Sequence, residues 1–304
     1  MEENPIVTIG IPVYNGEKTI EERIKNLMLQ TFQNFVIILS DNNSSDKTLE
    51  KCLELAKRDN RINIFQQKKN MGPVWNTNFV LEKSKTKYFV WAAADDIWSD
   101  NFLEENIKIL EYNENVVGSI GEVELFNRVF NEKTKEIEIK FLKNSKRYQY
   151  AEPSFGKFED KIAHYLRSNT ASMVYAIYRT EKLKKRNVFA KYKDYAMWRV
   201  DFANTLNMLK EGDFEVTINS HMYKEVTERS HSIIQYLRKI GYNFIQIISY
   251  NFPFTIWCLK NLGTKIFFKN ITYFIRLNVI STSGLFLEVL RMCKRVVSGR
   301  PKYW

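Results

Sequence analysis

Ile6-Val7-Thr8-Ile9-Gly10-Ile11-Pro12-Val13-Tyr14-Asn15 is the stretch on which the fold turns. Its first six residues form an apolar run of strand length, and it ends in turn-prone Pro, Tyr and Asn. Three further runs follow, Phe35 to Ser40, Ile62 to Gln66 and Tyr88 to Ala93, separated by segments of helical period. The first connection carries Thr19-Ile20-Glu21-Glu22, which has the form of a capping box, and then Ile20, Ile24, Leu27 and Met28 on one face. The second places Leu49, Cys52, Leu53 and Ala56 in an apolar stripe after Asn42-Asn43-Ser44-Ser45-Asp46, and a third helix is expected over Val74 to Glu82. Strands alternating with such helices predict βαβ units and a mostly parallel sheet flanked by helices, an α/β fold.

Beyond the fourth run the spacing predicts a helix from about Asn101 to Tyr112 and a strand from Val117 to Phe126. Residues 127–160 are charged and weakly patterned, reading as a hairpin or mobile loop over the sheet. Thr170 to Tyr178 reads as another strand, and Phe202, Leu206 and Leu209 mark a helix ending at Gly212.

In an open parallel sheet, ligands bind beyond the carboxyl ends of the strands. Strand one runs there into Pro12-Val13-Tyr14-Asn15, strand two into Asp41-Asn42-Asn43, and strand four into Ala93-Ala94-Asp95-Asp96. Alone, Asp41 reads equally as an Asx turn and Asp95-Asp96 as a helix cap. Together at successive strand ends they favour a shared site. Paired carboxylates suit Mg²⁺ or Mn²⁺ when a diphosphate completes the shell. The chain has no G-x-G-x-x-G after strand one and no G-x-x-x-x-G-K-[ST], which excludes the Rossmann dinucleotide and P-loop cradles.

The ordered elements Val7 to Asn15, Ser40-Asp41-Asn42-Asn43-Ser44-Ser45-Asp46-Lys47-Thr48, Asn70-Met71-Gly72 and Ala94-Asp95-Asp96 resemble the motifs of glycosyltransferase family 2, which comprises inverting enzymes of GT-A fold. The resemblance spans about Pro5 to Tyr223. It implies a nucleotide-sugar donor, with Pro12, Tyr14 and Asp41 on the nucleoside base, Asp95 near the ribose, and Asp96 on the metal that grips the diphosphate. Asn15, Asn70 and Gly72 belong to the same implied donor-binding set. The family's metal motif often reads D-x-D, whereas here Ala94 precedes an Asp-Asp pair, which leaves Asp95 as a second candidate for the metal. Inverting transfer also needs a base for the acceptor hydroxyl. In the family this is an Asp at a helix start about eleven residues before the glycine that ends the helix. Counting back from Gly212 reaches Asp201, preceded by Val200 rather than an acid; Asp194 is the alternative. On helical spacing Asp201 shares a face with Trp198, Phe202 and Thr205, a setting suited to a perturbed pKa. Arg229 and His231 stand where family members often present basic residues to the diphosphate, though a lone histidine is more often structural.

Bulk composition agrees with an enzyme of ordinary globular type: 304 residues, 44% hydrophobic and 27% charged. Cys52, Cys258 and Cys293 form no zinc-like cluster, and the acidic N-terminus lacks the pattern of an export signal, so a cytosolic setting is expected. The net charge of +11 is concentrated in the tail, where Ile233 to Trp304 holds eleven Lys/Arg against the single acid Glu288. A division follows into a catalytic part, 1–232, and a basic, aromatic helical region, 233–304. Ile240 to Leu259 carries no charge, yet Gly241, Asn243, Gln246, Ser249, Asn251 and Pro253 make it poor hydrocarbon filler. Aromatics among Lys and Arg favour attachment to an anionic membrane surface on its cytosolic side. The competing reading is a helical subdomain with solvated charges. No nucleic-acid motif accompanies the basic charge.

The expected activity is metal-assisted transfer of a sugar from a nucleotide-sugar donor to a glycan or lipid-linked acceptor. A sugar nucleotidyltransferase would need a Gly-rich, Arg/Lys-bearing loop that Gly10 to Lys18 does not supply. A noncatalytic membrane-bound scaffold retaining the fold is the remaining alternative.

Overall fold

The structure is a computed structural model and describes residues 4–131, 136–142, 156–168, 172–194, 199–226, 234, 237, 243, 247–280, 282–283 and 286. Its centre is a nine-stranded sheet. Strands β1 (Val7–Val13), β2 (Phe35–Asp41), β3 (Ile62–Gln66) and β4 (Tyr88–Trp91) are all parallel, in the spatial order β3-β2-β1-β4. Between them run helices α1 (Ile20–Met28), α2 (Thr48–Ala56) and α3 (Pro73–Lys83). Val7, Thr8, Ile9 and Ile11 have no exposed surface, because β1 has a strand on either side and side chains packed over both faces. That burial explains why its apolar run is continuous rather than alternating.

Thr19 occupies the N-cap of α1 but makes no side-chain capping bond, contrary to the capping-box reading. The Thr19 and Ile20 N–H groups instead donate to the Gly16 carbonyl, both at 3.0 Å, so the loop backbone closes this end of the helix.

The second half of the sheet is mixed. After β4 come β5 (Ile97–Trp98), α4 (Phe102–Tyr112), β6 (Val116–Asn131), β7 (Glu136–Phe141), α5 (Phe158–Ser168), β8 (Ile177–Arg179), α6 (Thr180–Arg186), α7 (Val200–Met208) and β9 (Asp213–Glu225). The sheet continues from β4 through β8, β6 and β9 to β5; β8 is antiparallel to both its neighbours and β9 is parallel to β6. β6 and β7 pair antiparallel, so within residues 127–160 the described 127–131 and 136–141 form a hairpin, while Phe158 onward belongs to α5. The strand expected over Thr170 to Tyr178 is shorter: Ser172–Tyr175 is a 3-10 turn, and β8 begins at Ile177. The turn forms because Met173 is buried under the sheet and its carbonyl accepts from the Ala176 N–H at 3.0 Å.

The chain divides into two compact units, one of Met1–Ala190 with Asn204–Thr227, the other of Lys191–Ala203 with Glu228–Trp304. The expected division is 1–232 and 233–304; here the later boundary falls between Thr227 and Glu228, and Lys191–Ala203 groups with the tail. Within the second unit, Arg199 Nε donates to Asn251 Oδ1 at 2.9 Å and Phe202 lies 5.7 Å from Phe254, ring to ring. Within the first, Asn204 Oδ1 accepts from the Val188 N–H at 3.1 Å and Asn207 Nδ2 donates to the Arg186 carbonyl at 2.7 Å. A Cβ on Gly212, just beyond α7, would lie 2.1 Å from the Asn115 carbonyl oxygen, so only glycine permits that approach.

The second unit contains α8 (Phe252–Leu262), α9 (Thr264–Lys269) and a helical run over 271–280. The uncharged stretch is not one helix: a turn at 249–251 precedes α8, whose first turn holds Pro253. Among the described residues no helix is long and apolar enough to cross a membrane.

Candidate active site

The loops after β1, β2 and β3 form one bonded rim. Asn15 adopts a left-handed backbone, φ +53°, which asparagine tolerates better than most residues. That conformation lets its N–H donate to Ser44 Oγ at 2.9 Å while its Oδ1 accepts from the Ser45 N–H at 2.9 Å. Next along, the Gly16 N–H meets Thr48 Oγ1 at 2.8 Å and the Glu17 N–H meets Asp46 Oδ2 at 3.2 Å. Tyr14, 42% exposed, is held out from this locked corner. Pro12 lies one register step inside it, opposite Ser40.

Asp41 is fully buried at the end of β2; its Oδ2 accepts from the Ser44 N–H at 3.1 Å and its Oδ1 has no hydrogen-bond partner. Asn42, also buried, joins the second loop to the third. Its Nδ2 donates to Asn70 Oδ1 at 3.0 Å and to the Gly72 carbonyl at 3.2 Å, and its Oδ1 accepts from the Met71 N–H at 2.9 Å. Gly72 takes φ +86°, a backbone that favours glycine, and serves as the N-cap of α3. Asn76 in α3 completes the join, with Ser40 Oγ donating to its Oδ1 at 2.6 Å and its Nδ2 donating to the Ser40 carbonyl at 2.9 Å. The sequence reading took Asn42 as part of a turn and did not mark Asn76. Their partners lie about thirty residues away, beyond any local pattern.

The acidic turn is fixed from the other half of the sheet. Asp95 is partly exposed, and its carbonyl accepts from Arg128 on β6 at 3.0 Å. Arg128 also pairs with Glu225 on β9, and with Glu22 on α1 at 3.0 Å. Asp96 is only 2% exposed; its Oδ1 accepts from the Glu225 N–H at 3.1 Å, and its Oδ2 lies 3.9 Å from Lys224 Nζ with no hydrogen-bond partner. Burial pushes the Asp96 carboxyl above its usual range and the charge of Asp95 adds to this, while Lys224 and Arg23 oppose it. Arg23 is buried in α1, its guanidinium 4.1 Å from the Trp98 ring centre, and burial brings its pKa down to about 10. Lys224 lies 4.1 Å over the Tyr175 ring; burial lowers its pKa, but the charges of Tyr175 and Asp96 outweigh that and hold it above the ordinary lysine range. Arg23, Arg128 and Lys224 escaped the sequence reading because no spacing marks them. They reach the turn only once α1, β6 and β9 are assembled.

Asp201 lies in the first turn of α7, partly exposed, with its Oδ1 accepting from the Phe202 N–H at 2.8 Å. It falls in the second unit, whereas the rim and the acidic turn fall in the first. Asp194 ends a separate 3-10 segment, Phe189–Asp194, rather than extending α7, and its side chain lies outside the described residues. Arg229, His231 and Trp198 lie outside them as well.

Among the described residues no group of three or more His, Cys, Asp or Glu is placed to hold a metal by itself. The residues still fit a divalent cation brought with a diphosphate, which needs only one or two carboxylates from the protein. The Asp95-Asp96 pair, one carboxyl partly exposed and the other with a buried unpartnered oxygen, is such a set.

The sequence profile of "Glycosyl transferase family 2" matches residues 8–186, more than half of the chain. The chain belongs to glycosyltransferase family 2. An uncharacterized glycosyltransferase of Haemophilus influenzae is 35% identical over 125 residues, 40% of this chain and 39% of that protein. The Escherichia coli UDP-Glc:alpha-D-GlcNAc-diphosphoundecaprenol beta-1,3-glucosyltransferase WfgD is 32% identical over 122 residues, 40% of this chain and 47% of that one. The chain thus spans less than half the length of these curated relatives. Among solved structures, Staphylococcus aureus TarS 1-349 in complex with UDP-GlcNAc superposes with a TM-score of 0.54 at 17% identity, covering 77% of this chain and 64% of that one. The mannosyltransferase PcManGT from Pyrobaculum calidifontis in complex with GDP-Man and Mn²⁺ gives 0.58 at 14% identity, covering 99% and 77%. These likenesses establish the GT-A fold; the rim and acidic turn of this family 2 chain occupy the carboxyl end of its parallel strands.

Proposed function

We propose that the chain is an inverting glycosyltransferase that moves a sugar from a nucleotide-sugar donor to a hydroxyl of a glycan or lipid-linked acceptor at the cytosolic face of a membrane. The observation that carries this is the bonded rim: Tyr14-Asn15, Asp41-Asn42 and Asn70-Gly72 are tied into one surface at the carboxyl ends of β1, β2 and β3, with the acidic turn following β4. Tyr14 and Asp41, with Pro12 beneath, hold the nucleoside base, and Asn15, Asn70 and Gly72 line its edge. The relative named as acting on a diphosphoundecaprenol-linked sugar supports a lipid-linked acceptor, and a neighbour solved with GDP-Man and Mn²⁺ supports a divalent ion.

In this reading the partly exposed Asp95, rather than the Asp96 that the family motif implies, would hold Mg²⁺ or Mn²⁺ at the donor diphosphate. Asp96 is already bonded to the Glu225 N–H and buried beside Lys224, so it braces the turn. The ion, when bound, offsets the charge that gathers on the departing diphosphate. Asp201 takes the proton of the acceptor hydroxyl as that oxygen attacks C1 from the face opposite the leaving group.

The test is thermal stabilisation of the full chain by UDP-, GDP- and dTDP-sugars with and without Mn²⁺, followed by donor turnover. One donor should stabilise the protein only with metal, Asp95→Ala should abolish that effect, and Asp201→Asn should keep it while losing transfer. Stabilisation by none of the donors, or an Asp95→Ala variant that keeps the metal effect, refutes the assignment.

A further inference from the structure

Among the described residues, the helices of the second unit bury one face and expose the other. Inward, Phe267 and Phe274 stack with ring centroids 4.7 Å apart, Ile266 is buried beside them, and Asn278 Nδ2 donates to Thr255 Oγ1 of α8 at 2.8 Å. Outward, Phe268 (63% exposed), Ile275 (57%) and Val279 (61%) stand seven and four residues apart through α9 and 271–280, and Ile280 (55%) is exposed beside them. Lys265, Lys269 and Arg276 are exposed too, each within one helical turn of an exposed apolar residue in the chain. Large apolar side chains gathered on an exposed helix face are unfavourable in water unless something covers them.

We infer that the outward face of 264–280 is a docking surface for an anionic lipid bilayer, with Ile275, Val279 and Phe268 entering the acyl boundary and Lys265, Lys269 and Arg276 engaging headgroup phosphates. This rests on the reading that the acceptor is membrane-borne and names the surface that brings the enzyme to it. Charge selects the occupant. From Ile233 to Trp304 a single acid stands against eleven cations, so a second copy laid face to face would oppose like charges, whereas an anionic surface complements them. Amphipathic helices with cations beside large apolar residues lie in the interface plane.

The test is cosedimentation of the full chain with phosphatidylcholine vesicles, with and without phosphatidylglycerol, while donor stabilisation is measured in parallel. Binding should require phosphatidylglycerol. It should weaken roughly 30-fold in Lys269→Gln/Arg276→Gln, taking about fivefold for each cation removed near the surface. It should weaken by at least about tenfold in Ile275→Ser/Val279→Ser. These positions are exposed, and unchanged melting curves will verify that both variants fold. Equal sedimentation of variants and wild type overturns the inference, as does a concentration-dependent dimer that Ile275→Ser/Val279→Ser dissolves, since a second copy would then cover the face. Intact vesicle binding without donor stabilisation would sink the proposed activity and leave the docking surface standing.

Discussion

Replacing Asn42 with alanine tests whether the rim is a preformed part of the site. The side chain is 2% exposed and makes three hydrogen bonds, at 3.0, 3.2 and 2.9 Å, to Asn70, Gly72 and Met71. Each such bond contributes about 1 kcal/mol net. Met71 is 36% exposed, so water can reach part of what the truncation frees, and the total falls at about 2–3 kcal/mol rather than higher. For a unit of this size that lowers the melting temperature by about 4–12 °C. Asn42→Asp keeps the acceptor for the Met71 N–H but sets a buried carboxylate oxygen against the Asn70 Oδ1 and Gly72 carbonyl acceptors, so at neutral pH it should cost at least as much as Asn42→Ala. Because Asn70-Met71-Gly72 is positioned through this side chain, donor-dependent stabilisation should also shrink in Asn42→Ala. Differential scanning fluorimetry with and without donor measures both effects. A variant that melts within about 1 °C of wild type and keeps the full donor shift would refute the reasoning that one buried amide holds the third loop to the second.

Gly212→Ala forces a Cβ against the Asn115 carbonyl and should destabilise by about 1–3 kcal/mol, read from urea midpoints. Arg128→Ala removes the cation beside the nearly buried Glu225 and the donor to the Asp95 carbonyl; the expected loss is about 3 kcal/mol together with weaker metal-dependent donor binding, and Arg128→Lys should restore only part of both. Burial alone would raise the pKa of Asp46, but bonds from the Thr48 hydroxyl and from the Thr48 and Glu17 N–H groups outweigh it and hold the carboxyl below its ordinary value of 3.8. A carboxyl depressed on folding stabilises fully above its unfolded pKa, and that stability is lost as pH falls through the folded value. Melting temperatures recorded from neutral pH into acid should therefore fall less steeply for Asp46→Asn than for wild type below pH 3.8; parallel curves would remove Asp46 from the acid transition.

The first four strands and their helices were legible because each rests on a pattern shorter than a dozen residues: the apolar runs of β1 to β4, and Ile20, Ile24 and Leu27 on the buried face of α1. Tyr14, Asp41 and Asp95-Asp96 were legible for the same reason, since each sits where such a run stops. Beyond Asp96 the sequence was less informative. β6 runs to Asn131, past the Phe126 at which its alternation was read to end and at which its pairing with β9 stops, because β7 pairs with Phe126 to Asn131 and supplies hydrogen bonds that no local pattern announces. The 3-10 turn at Ser172–Tyr175 carries apolar residues that read as a strand, and the local bond from the Ala176 N–H to the Met173 carbonyl, which no apolar pattern announces, separates the two.

Sequence by itself determined the family, the parallel half of the sheet, the strand ends that form the rim, and the basic charge of the tail, all consequences of side-chain type at short spacing. Tertiary structure decided how the acidic turn is held. It buries Asp96 beside Lys224 and within the field of Arg23, hangs the Asp95 carbonyl on Arg128, and leaves Phe268, Ile275 and Val279 exposed while Phe267 and Phe274 are buried. These depend on contacts between elements far apart in the chain. Burial and charge pairing are properties of the assembled packing, and composition and period carry no record of them.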